Sequence, residues 1–151
     1  MTPIVRNAVS SDAAAIAEFN RRLALETEKK VLDPAVLFAG VAAVLADPTR
    51  GRYFVAEDKG EVVGQMMITY EWSDWRNGWV WWLQSVYVRA DARGRGVFRS
   101  IFEHVVEESK RAGDVIGMRL YVERDNRPAQ ATYLRLGFEE MHFDLYHLGV
   151  S

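Results

Sequence analysis

One segment of the chain, residues 89–99, combines the residue types that bind phosphate groups. It contains Arg93-Gly94-Arg95-Gly96, which follows an apolar run typical of a strand and precedes apolar residues at helical spacing. Glycine permits positive φ and a close approach of the backbone to a ligand, and the first turn of a helix leaves about four N–H groups without intrahelical acceptors. Such donors suit a phosphate, so the segment is a candidate phosphate-binding turn.

The same segment is basic within an acidic chain. Its four arginines and one aspartate give a charge of +3 (4 − 1), while the 151 residues together carry −2, so the other residues sum to −5 (−2 − 3). Two interpretations have equal weight: a local anion site, or an ordinary connection with solvated arginines. Because the net charge is so small, the sequence predicts neither a nucleic-acid surface nor attraction to an anionic membrane.

Two familiar phosphate-binding signatures do not fit this segment. A Walker loop needs Gly-Lys-Ser or Gly-Lys-Thr, whereas Gly96 is followed by Val97, Phe98 and Arg99. A dinucleotide fingerprint needs a third glycine at the position of Arg99 and lies in the first βα unit of a parallel fold. Both alternatives are therefore excluded.

Composition predicts one packed domain over residues 1–151, located in the cytoplasm. Hydrophobic residues at 49% and charged residues at 26% are typical of globular proteins. The lack of cysteine excludes disulfides and fits a reducing compartment. No apolar run reaches the roughly 20 residues that a membrane helix needs, so no membrane partner is expected. The three histidines, at positions 104, 142 and 147, have no cysteine that could join them as a further metal ligand, so we expect no bound metal.

The apolar periods along the chain predict an α/β fold with a mixed sheet and helices on both faces. An edge strand at 3–8 precedes two helices, one beginning at Ser10-Ser11-Asp12 and one at Asp33-Pro34. Three strands then form an antiparallel meander, in which Asp58-Lys59-Gly60 makes a tight hairpin turn. The meander strands are expected at 53–57, 61–72 and 79–88. The remaining predicted elements are a helix from Gly96 to Gly113, a strand at 115–122, a helix at 128–136 and a strand at 138–148.

A second segment completes a recognisable pattern. Asn126, Ala129, Tyr133 and Gly137-Phe138 follow the strand predicted at 115–122. Together with the 93–96 turn, and in this order, they resemble the GNAT superfamily of acyl-CoA-dependent N-acetyltransferases. The resemblance covers residues 79–138 closely, and the remaining order of predicted elements agrees with it. It implies a GNAT-like fold, acetyl-CoA as the cofactor and an amine as the acceptor.

The resemblance also implies which residues contact coenzyme A. The turn matches the family signature Arg/Gln-x-x-Gly-x-Gly/Ala, except that Phe98 stands in place of the last Gly/Ala. Backbone amides of the turn are expected to hold the pyrophosphate, and Asn126 to lie near the pantetheine arm. The strand backbone at Val86, Tyr87 and Val88 is expected to pair with that arm as an added strand would. The expected pyrophosphate contacts are Arg93, Gly94, Arg95, Gly96, Val97 and Phe98.

Tyr133 is the predicted catalytic residue, because it matches the tyrosine that faces the thioester sulfur in the family. Amine attack expels a thiolate whose parent thiol has a pKa of about 8.5, and a phenol of pKa near 10 can donate a proton to it. The alternative is that the Tyr133 ring packs between helix and sheet. The base that removes the amine proton is not specified by the sequence. The candidates, each of a type that is more often a solvated surface acid, are Glu26, Glu28, Glu71 and Asp74.

An aromatic cluster marks the candidate acceptor region. All five tryptophans lie within residues 72–82, and alternation along a strand sends Trp79 and Trp81 to one face and Trp82 to the other. The cluster fits sheet packing, a homodimer surface, or an aromatic wall that desolvates an amine or stacks on a cation. The candidate acceptor contacts are Glu28, Glu71, Trp72, Asp74 and Trp75.

The functional prediction is acetyl transfer from acetyl-CoA to a primary amine, on a small molecule or a peptide, by direct attack in a ternary complex. The nearest alternative is the same cofactor with a protein N-terminus as acceptor, or with a longer acyl group. A different class of function stays open: a catalytically idle member that binds acyl-CoA as a sensor or assembles through its tryptophans.

Overall fold

The structure is a computed structural model that describes residues 2–151, and over this range it contains five β-strands and four α-helices. In chain order they are β1 (Ile4–Asn7), α1 (Ala13–Glu28), α2 (Pro34–Ala46), β2 (Arg52–Asp58), β3 (Glu61–Ser73), β4 (Gly78–Val88), α3 (Val97–Ala112), β5 (Val115–Leu120) and α4 (Arg127–Arg135). Within the described range, no helix has the length and apolar composition needed to cross a membrane. The elements form two compact units, one ending at Leu120 and the other spanning Tyr121–Ser151.

All five strands form one mixed sheet in the first unit, in the order β1-β2-β3-β4-β5. The first four strands are antiparallel to their neighbours, and β5 lies parallel to β4. Lys59 (φ 51°) and Gly60 (φ 81°) both have positive φ in the turn between β2 and β3, which is the geometry of a type I′ hairpin. The predicted edge strand, meander and hairpin turn are confirmed.

Successive residues of β2 show that helices cover both faces of the sheet, because side chains alternate along a strand. Tyr53 and Val55 belong to a buried cluster that includes residues of α1 and α2. Phe54, between them, points to the opposite face, where its ring centroid lies 5.6 Å from that of His104 in α3. The predicted α/β fold with helices on both faces is confirmed.

Helix α3 begins close to the sheet because a glycine lies beneath it. Its buried side chains include Val97 and Ile101, and Gly96 and Gly113 flank it with positive φ, as predicted. A Cβ at Gly64 of β3 would lie 2.8 Å from Val97 Cγ1 and 3.2 Å from Ile101 Cδ1. The missing side chain at Gly64 therefore sets how near the first turn of α3 approaches the sheet.

The second unit contains α4 and a C-terminal segment without regular secondary structure. Helix α4 ends before Gly137 (φ 100°), as expected for the helix predicted at 128–136. The strand predicted at 138–148 is wrong: these residues form no strand, and Phe143, Leu145 and Tyr146 are exposed. Alternating apolar residues form a strand only when a neighbouring strand pairs with their backbone. In the described part of the chain, the sheet pairs no strand with this segment.

Candidate active site

Strand β4 carries an irregularity in its pairing with β3. Gln65 of β3 pairs with Tyr87 and Met67 pairs with Gln84, so two residues of β4 lie opposite one residue of β3. Ser85, in this irregular stretch, has a φ of 50°, which is uncommon for a residue with a side chain. The pattern is that of a β-bulge, which bends a strand and redirects its backbone.

The bulge coincides with the end of pairing between β4 and β5. The last paired residues are Leu83 and Leu120, so residues 84–88 of β4 extend beyond the pairing with β5. The predicted pantetheine contacts, residues 86–88, all lie in this extension. Backbone N–H and C=O groups on the β5 side of the extension are therefore oriented to pair with an extended ligand.

A buried hydrogen-bond chain supports the bulge. Gln65 is fully buried and donates from Nε2 to the Ser85 carbonyl oxygen (3.1 Å) and to Asn20 Oδ1 (2.8 Å). Asn20 Nδ2 in turn donates to Tyr53 Oη (3.0 Å). Gln65 Oε1 is buried and makes no hydrogen bond with the described residues. This chain ties α1 and β2 to the point where β4 bends.

The glycine turn follows the open end of β4. Gly94 (φ 76°) and Gly96 (φ 81°) both adopt left-handed conformations, which cost glycine no steric strain. The Ser100 N–H donates to the Gly96 carbonyl oxygen (3.0 Å) as the first hydrogen bond of α3, and no described side chain caps the helix. The amides before this bond lie at the positive end of the helix dipole, a position that favours an anion.

The Arg93 side chain links the turn to β4 and α1. Its Nε donates to the Val88 carbonyl oxygen (2.8 Å), its Nη2 donates to Glu26 (2.8 Å), and its guanidinium lies 5.2 Å from the centroid of the Tyr87 ring. Tyr87 Oη also donates to Glu26 (2.6 Å). Arg93 and Arg95 are both exposed at the turn, and the Arg93 charge is paired with Glu26. A ligand at the turn would therefore meet the Arg95 charge more readily than the paired charge of Arg93.

Glu26 is the partner of this arginine and is poorly suited to act as a general base. Hydrogen bonds from Tyr87 and Arg93 hold the pKa of the Glu26 carboxyl below its usual range. Burial and the adjacent Glu26 carboxylate raise the pKa of the Tyr87 hydroxyl, which stays a donor. Sequence reasoning considered Glu26 only as a base, because 67 residues separate it from Arg93 and no local pattern links the two.

The candidate acceptor contacts occupy two separate places. Glu28 is the last residue of α1 and forms an exposed ion pair with a neighbouring lysine. Glu71 and Trp72 lie near the end of β3, and Asp74 and Trp75 lie in the exposed turn that follows it. Trp75 is 95% exposed, so its ring forms no buried wall. The structure thus groups four of the five residues at the β3–β4 hairpin and leaves Glu28 at the end of α1.

The tryptophans of β4 divide between the two faces of the sheet, as predicted. The rings of Trp79 and Trp81 contact Tyr70 edge to face, with centroids 6.2 Å and 6.5 Å apart. The guanidinium of Arg52 lies 5.2 Å from the Trp81 centroid. These contacts favour sheet packing over a ligand-binding wall for Trp79 and Trp81, because the cation that Trp81 meets belongs to the protein.

Glu71 and Trp82 form an ion-pair group with β5. Trp82 Nε1 and Arg119 Nη1 each donate a hydrogen bond of 3.2 Å to the Glu71 carboxylate. The guanidinium of Arg119 also lies 6.0 Å from the Trp82 centroid. To accept a proton from the amine, the Glu71 carboxylate would have to give up this ion pair. Glu71 is therefore a weaker candidate for the general base than the sequence alone indicated.

The two site residues of the second unit both have local structural roles. Asn126 caps α4, since its Oδ1 accepts a hydrogen bond from the Ala129 N–H (3.3 Å). Tyr133 packs edge to face against Phe138, with centroids 5.7 Å apart. Burial raises the pKa of the Tyr133 hydroxyl, so it is protonated at neutral pH.

A cleft that the sequence analysis did not predict lies between α2 and the sheet. Its volume is about 410 Å³, and its lining includes Asn20 and Tyr53 of the hydrogen-bond chain described above. The sequence signal that could have found it is α2 itself, whose 13 residues include no polar side chain. A helix that packs one face against a core normally has a polar opposite face.

Comparison with known proteins agrees with this geometry. The model of the Acetyltransferase (GNAT) family matches residues 15–138. The chain is 30% identical over 121 residues to an aminoalkylphosphonate N-acetyltransferase of Salmonella typhimurium, covering 80% of this chain and 77% of that protein. It is 44% identical over 59 residues to a mycothiol acetyltransferase of Corynebacterium jeikeium, which is 39% of this chain but only 17% of that protein.

Solved structures show the same fold. The crystal structure of "a possible acetyltransferase" from Clostridium difficile 630 matches with a TM-score of 0.92 at 43% identity, covering 100% of this chain and 99% of that one. The crystal structure of a "predicted acetyltransferase with acetyl-CoA" from Clostridium acetobutylicum matches with a TM-score of 0.78 at 17% identity, covering 97% of this chain and 96% of that one. The resemblance noted from two short segments is confirmed over most of the chain: this protein belongs to the GNAT family and is an N-acetyltransferase of that type.

Proposed function

We propose that the protein transfers an acetyl group from acetyl-CoA to a primary amine by direct attack in a ternary complex. The observation that carries this proposal is the continuous path from the open end of β4, at residues 84–88, into the glycine turn that begins α3. When bound, acetyl-CoA would supply a thioester: the amine nitrogen would form a bond to the carbonyl carbon, the C–S bond would break, and coenzyme A would leave as the thiolate. The amine would release one proton to water.

The residues on this path fit the chemical parts of coenzyme A. The unpaired edge of β4 offers alternating backbone donors and acceptors, which suit the two amides of a pantetheine arm. The amides of Gly94, Arg95, Gly96 and Val97 lie at the start of α3 and suit a pyrophosphate. Phe98, which departs from the family signature, stacks on Phe102 with centroids 6.0 Å apart. We therefore propose that Phe98 contributes its backbone rather than its side chain to the phosphate site.

We propose that Tyr133 gives the departing thiolate its proton. The raised pKa of the buried hydroxyl supports this role, because the group carries its proton throughout the neutral range. Two of the carboxylates considered as general bases, Glu26 and Glu71, are instead each held in an ion pair with an arginine. We also propose that Asn126 lies near the pantetheine arm of bound coenzyme A.

We also propose that residues 1–151 form one catalytic domain that acts in the cytoplasm. The family match from residue 15 to residue 138 supports a single domain, because it includes residues from both compact units. The acceptor is proposed to be a small amine. This agrees with the Salmonella relative, an aminoalkylphosphonate N-acetyltransferase, whose name denotes an amine as the acceptor.

A panel of primary amines assayed for release of free coenzyme A tests the proposal. The panel includes alkylamines, aminoalkylphosphonates, amino acids and a peptide with a free N-terminus, each with and without acetyl-CoA. We expect amine-dependent release with at least one of them, and an equal amount of the acetylated amine by mass spectrometry. Tight binding of acetyl-CoA without transfer to any amine would overturn the proposal in favour of an acyl-CoA sensor.

A further inference from the structure

The cleft between α2 and the sheet, here called the α2 cleft, has the size and chemistry of a small-molecule site. Its volume of about 410 Å³ lies within the roughly 300–1,000 Å³ typical of ligand pockets. Its walls are largely apolar, from Leu37, Val41 and Val44 of α2 and Met67 of β3. Such walls favour a ligand with an alkyl or aryl arm, since burial of apolar surface drives its binding.

The α2 cleft has few polar lining residues, and none of them is positively charged. Asn20 and Tyr53 contribute uncharged hydrogen-bonding groups, and Asp33 is the one charged residue among the described residues that line the cleft. None of the described residues that line it is a lysine or an arginine. A phosphonate or carboxylate placed there would lose water without gaining a cationic partner, whereas an ammonium would not be repelled.

The inner end of the α2 cleft lies beside the bulge of β4. Met67, in its wall, pairs directly with Gln84 on the neighbouring strand, and paired strands lie about 4.8 Å apart. Asn20, also in its wall, is linked through Gln65 to the Ser85 carbonyl oxygen. The end of the cleft that contains Asn20 and Met67 is therefore the end nearest the bulge of β4.

We propose that the α2 cleft binds the apolar arm of the acceptor, so that the substrates are primary amines with an alkyl or aryl arm and no attached acidic group. The amine lies at the end formed by Asn20 and Tyr53, and the arm extends along α2. This inference rests on the proposed acetyl transfer, and it separates this chain from a relative that acts on an aminoalkylphosphonate.

The first experiment compares n-propylamine, n-hexylamine and 6-aminohexanoate as acceptors at one pH. Each methylene that enters an apolar site improves binding by about fourfold, so kcat/KM should rise about 50-fold from propylamine to hexylamine. The carboxylate of 6-aminohexanoate should remove most of that gain. Equal kcat/KM values for the three amines would overturn the proposal.

The second experiment narrows the cleft without disturbing the fold. Gly40 lies in α2, lines the cleft, and a Cβ built there meets no atom within 4 Å. Gly40→Leu replaces a poor helix former with a good one, so the melting temperature should not fall. We expect kcat/KM for hexylamine to fall about tenfold or more, while kcat/KM for propylamine and the Kd of acetyl-CoA stay within about twofold. Ala39→Leu, at the exposed neighbouring position, is the matched control and should change none of these values.

Calorimetry of hexylamine with the coenzyme A-loaded protein separates this inference from the proposed function. Hexylamine binding that is lost in Gly40→Leu and kept in Ala39→Leu supports the cleft even if no acetyl transfer is found. Acetyl transfer to hexylamine that Gly40→Leu leaves unchanged overturns the cleft while the proposed function stands. Absence of hexylamine binding to the wild-type protein also overturns it.

Discussion

Gly64 offers a direct test of how the sheet positions the glycine turn, the proposed phosphate site. Its Cα faces the first turn of α3, and an added Cβ would lie 2.8 Å from Val97 Cγ1 and 3.2 Å from Ile101 Cδ1. Both distances are shorter than van der Waals contact, and both partners are almost fully buried. Gly64→Ala should therefore push the start of α3, and the turn before it, away from the sheet.

The magnitude follows from two opposing effects. Overpacking a well-packed core costs roughly 1–3 kcal/mol, here taken as about 2 kcal/mol. Replacing glycine by alanine in a strand recovers about 0.5–1 kcal/mol of backbone entropy, which leaves a loss of about 1.3 kcal/mol in the free energy of unfolding. At about 2–4 °C per kcal/mol for a domain of this size, the melting temperature should fall by roughly 3–5 °C.

Thermal unfolding of Gly64→Ala beside Gly117→Ala measures this effect. Gly117 lies in β5, and a Cβ there meets no atom within 4 Å, so its alanine variant should melt about 1–4 °C higher than the wild type. Acetyl-CoA affinity, measured by calorimetry, should weaken in Gly64→Ala and stay unchanged in Gly117→Ala. A melting temperature that rises equally in both variants would refute the reasoning about α3.

Three further substitutions test the assigned roles. Tyr133→Phe keeps the ring and removes the proton donor, so kcat should fall roughly 100-fold with little change in the Kd of acetyl-CoA; an unaltered chemical rate would remove Tyr133 from catalysis. Glu26→Gln should leave the acidic limb of the pH–rate profile in place, because the Tyr87 hydroxyl already holds the pKa of Glu26 below its usual range; loss of that limb would identify Glu26 as the base. A hydrogen bond from the Arg6 guanidinium lowers the pKa of the Asp12 carboxyl in the folded protein. The ionised Asp12 carboxylate therefore stabilises the fold fully above its unfolded pKa of about 3.9, and this stabilisation is lost as the pH falls through the folded pKa. The melting temperature of Asp12→Asn should thus lie below that of the wild type at pH 7 and approach it below about pH 4, and a difference independent of pH would contradict this.

The features that the sequence predicted well are those set by neighbouring residues. Lys59 and Gly60 define a hairpin because both can adopt positive φ within one two-residue turn. Gly94 and Gly96 both have the positive φ that the sequence predicted, for the same local reason, and α3 begins directly after them. Local conformational preference is readable from a short window of residues.

The features that were missed depend on contacts between distant residues. The bulge at Ser85 follows from the register between β3 and β4, and Gln65, which supports it, is 20 residues away. The pairing of Arg93 with Glu26 joins residues 67 positions apart. The false strand at 138–148 shows the converse, because its alternating pattern was present while its pairing partner was not. Pattern alone does not specify which strands meet.

Calorimetric titration of the protein with acetyl-CoA tests the central claim most directly. We predict saturable binding of one acetyl-CoA per chain, a higher melting temperature in its presence, and weaker, less salt-dependent binding in Arg95→Glu. Absence of binding heat and of any thermal shift at millimolar acetyl-CoA would contradict the account.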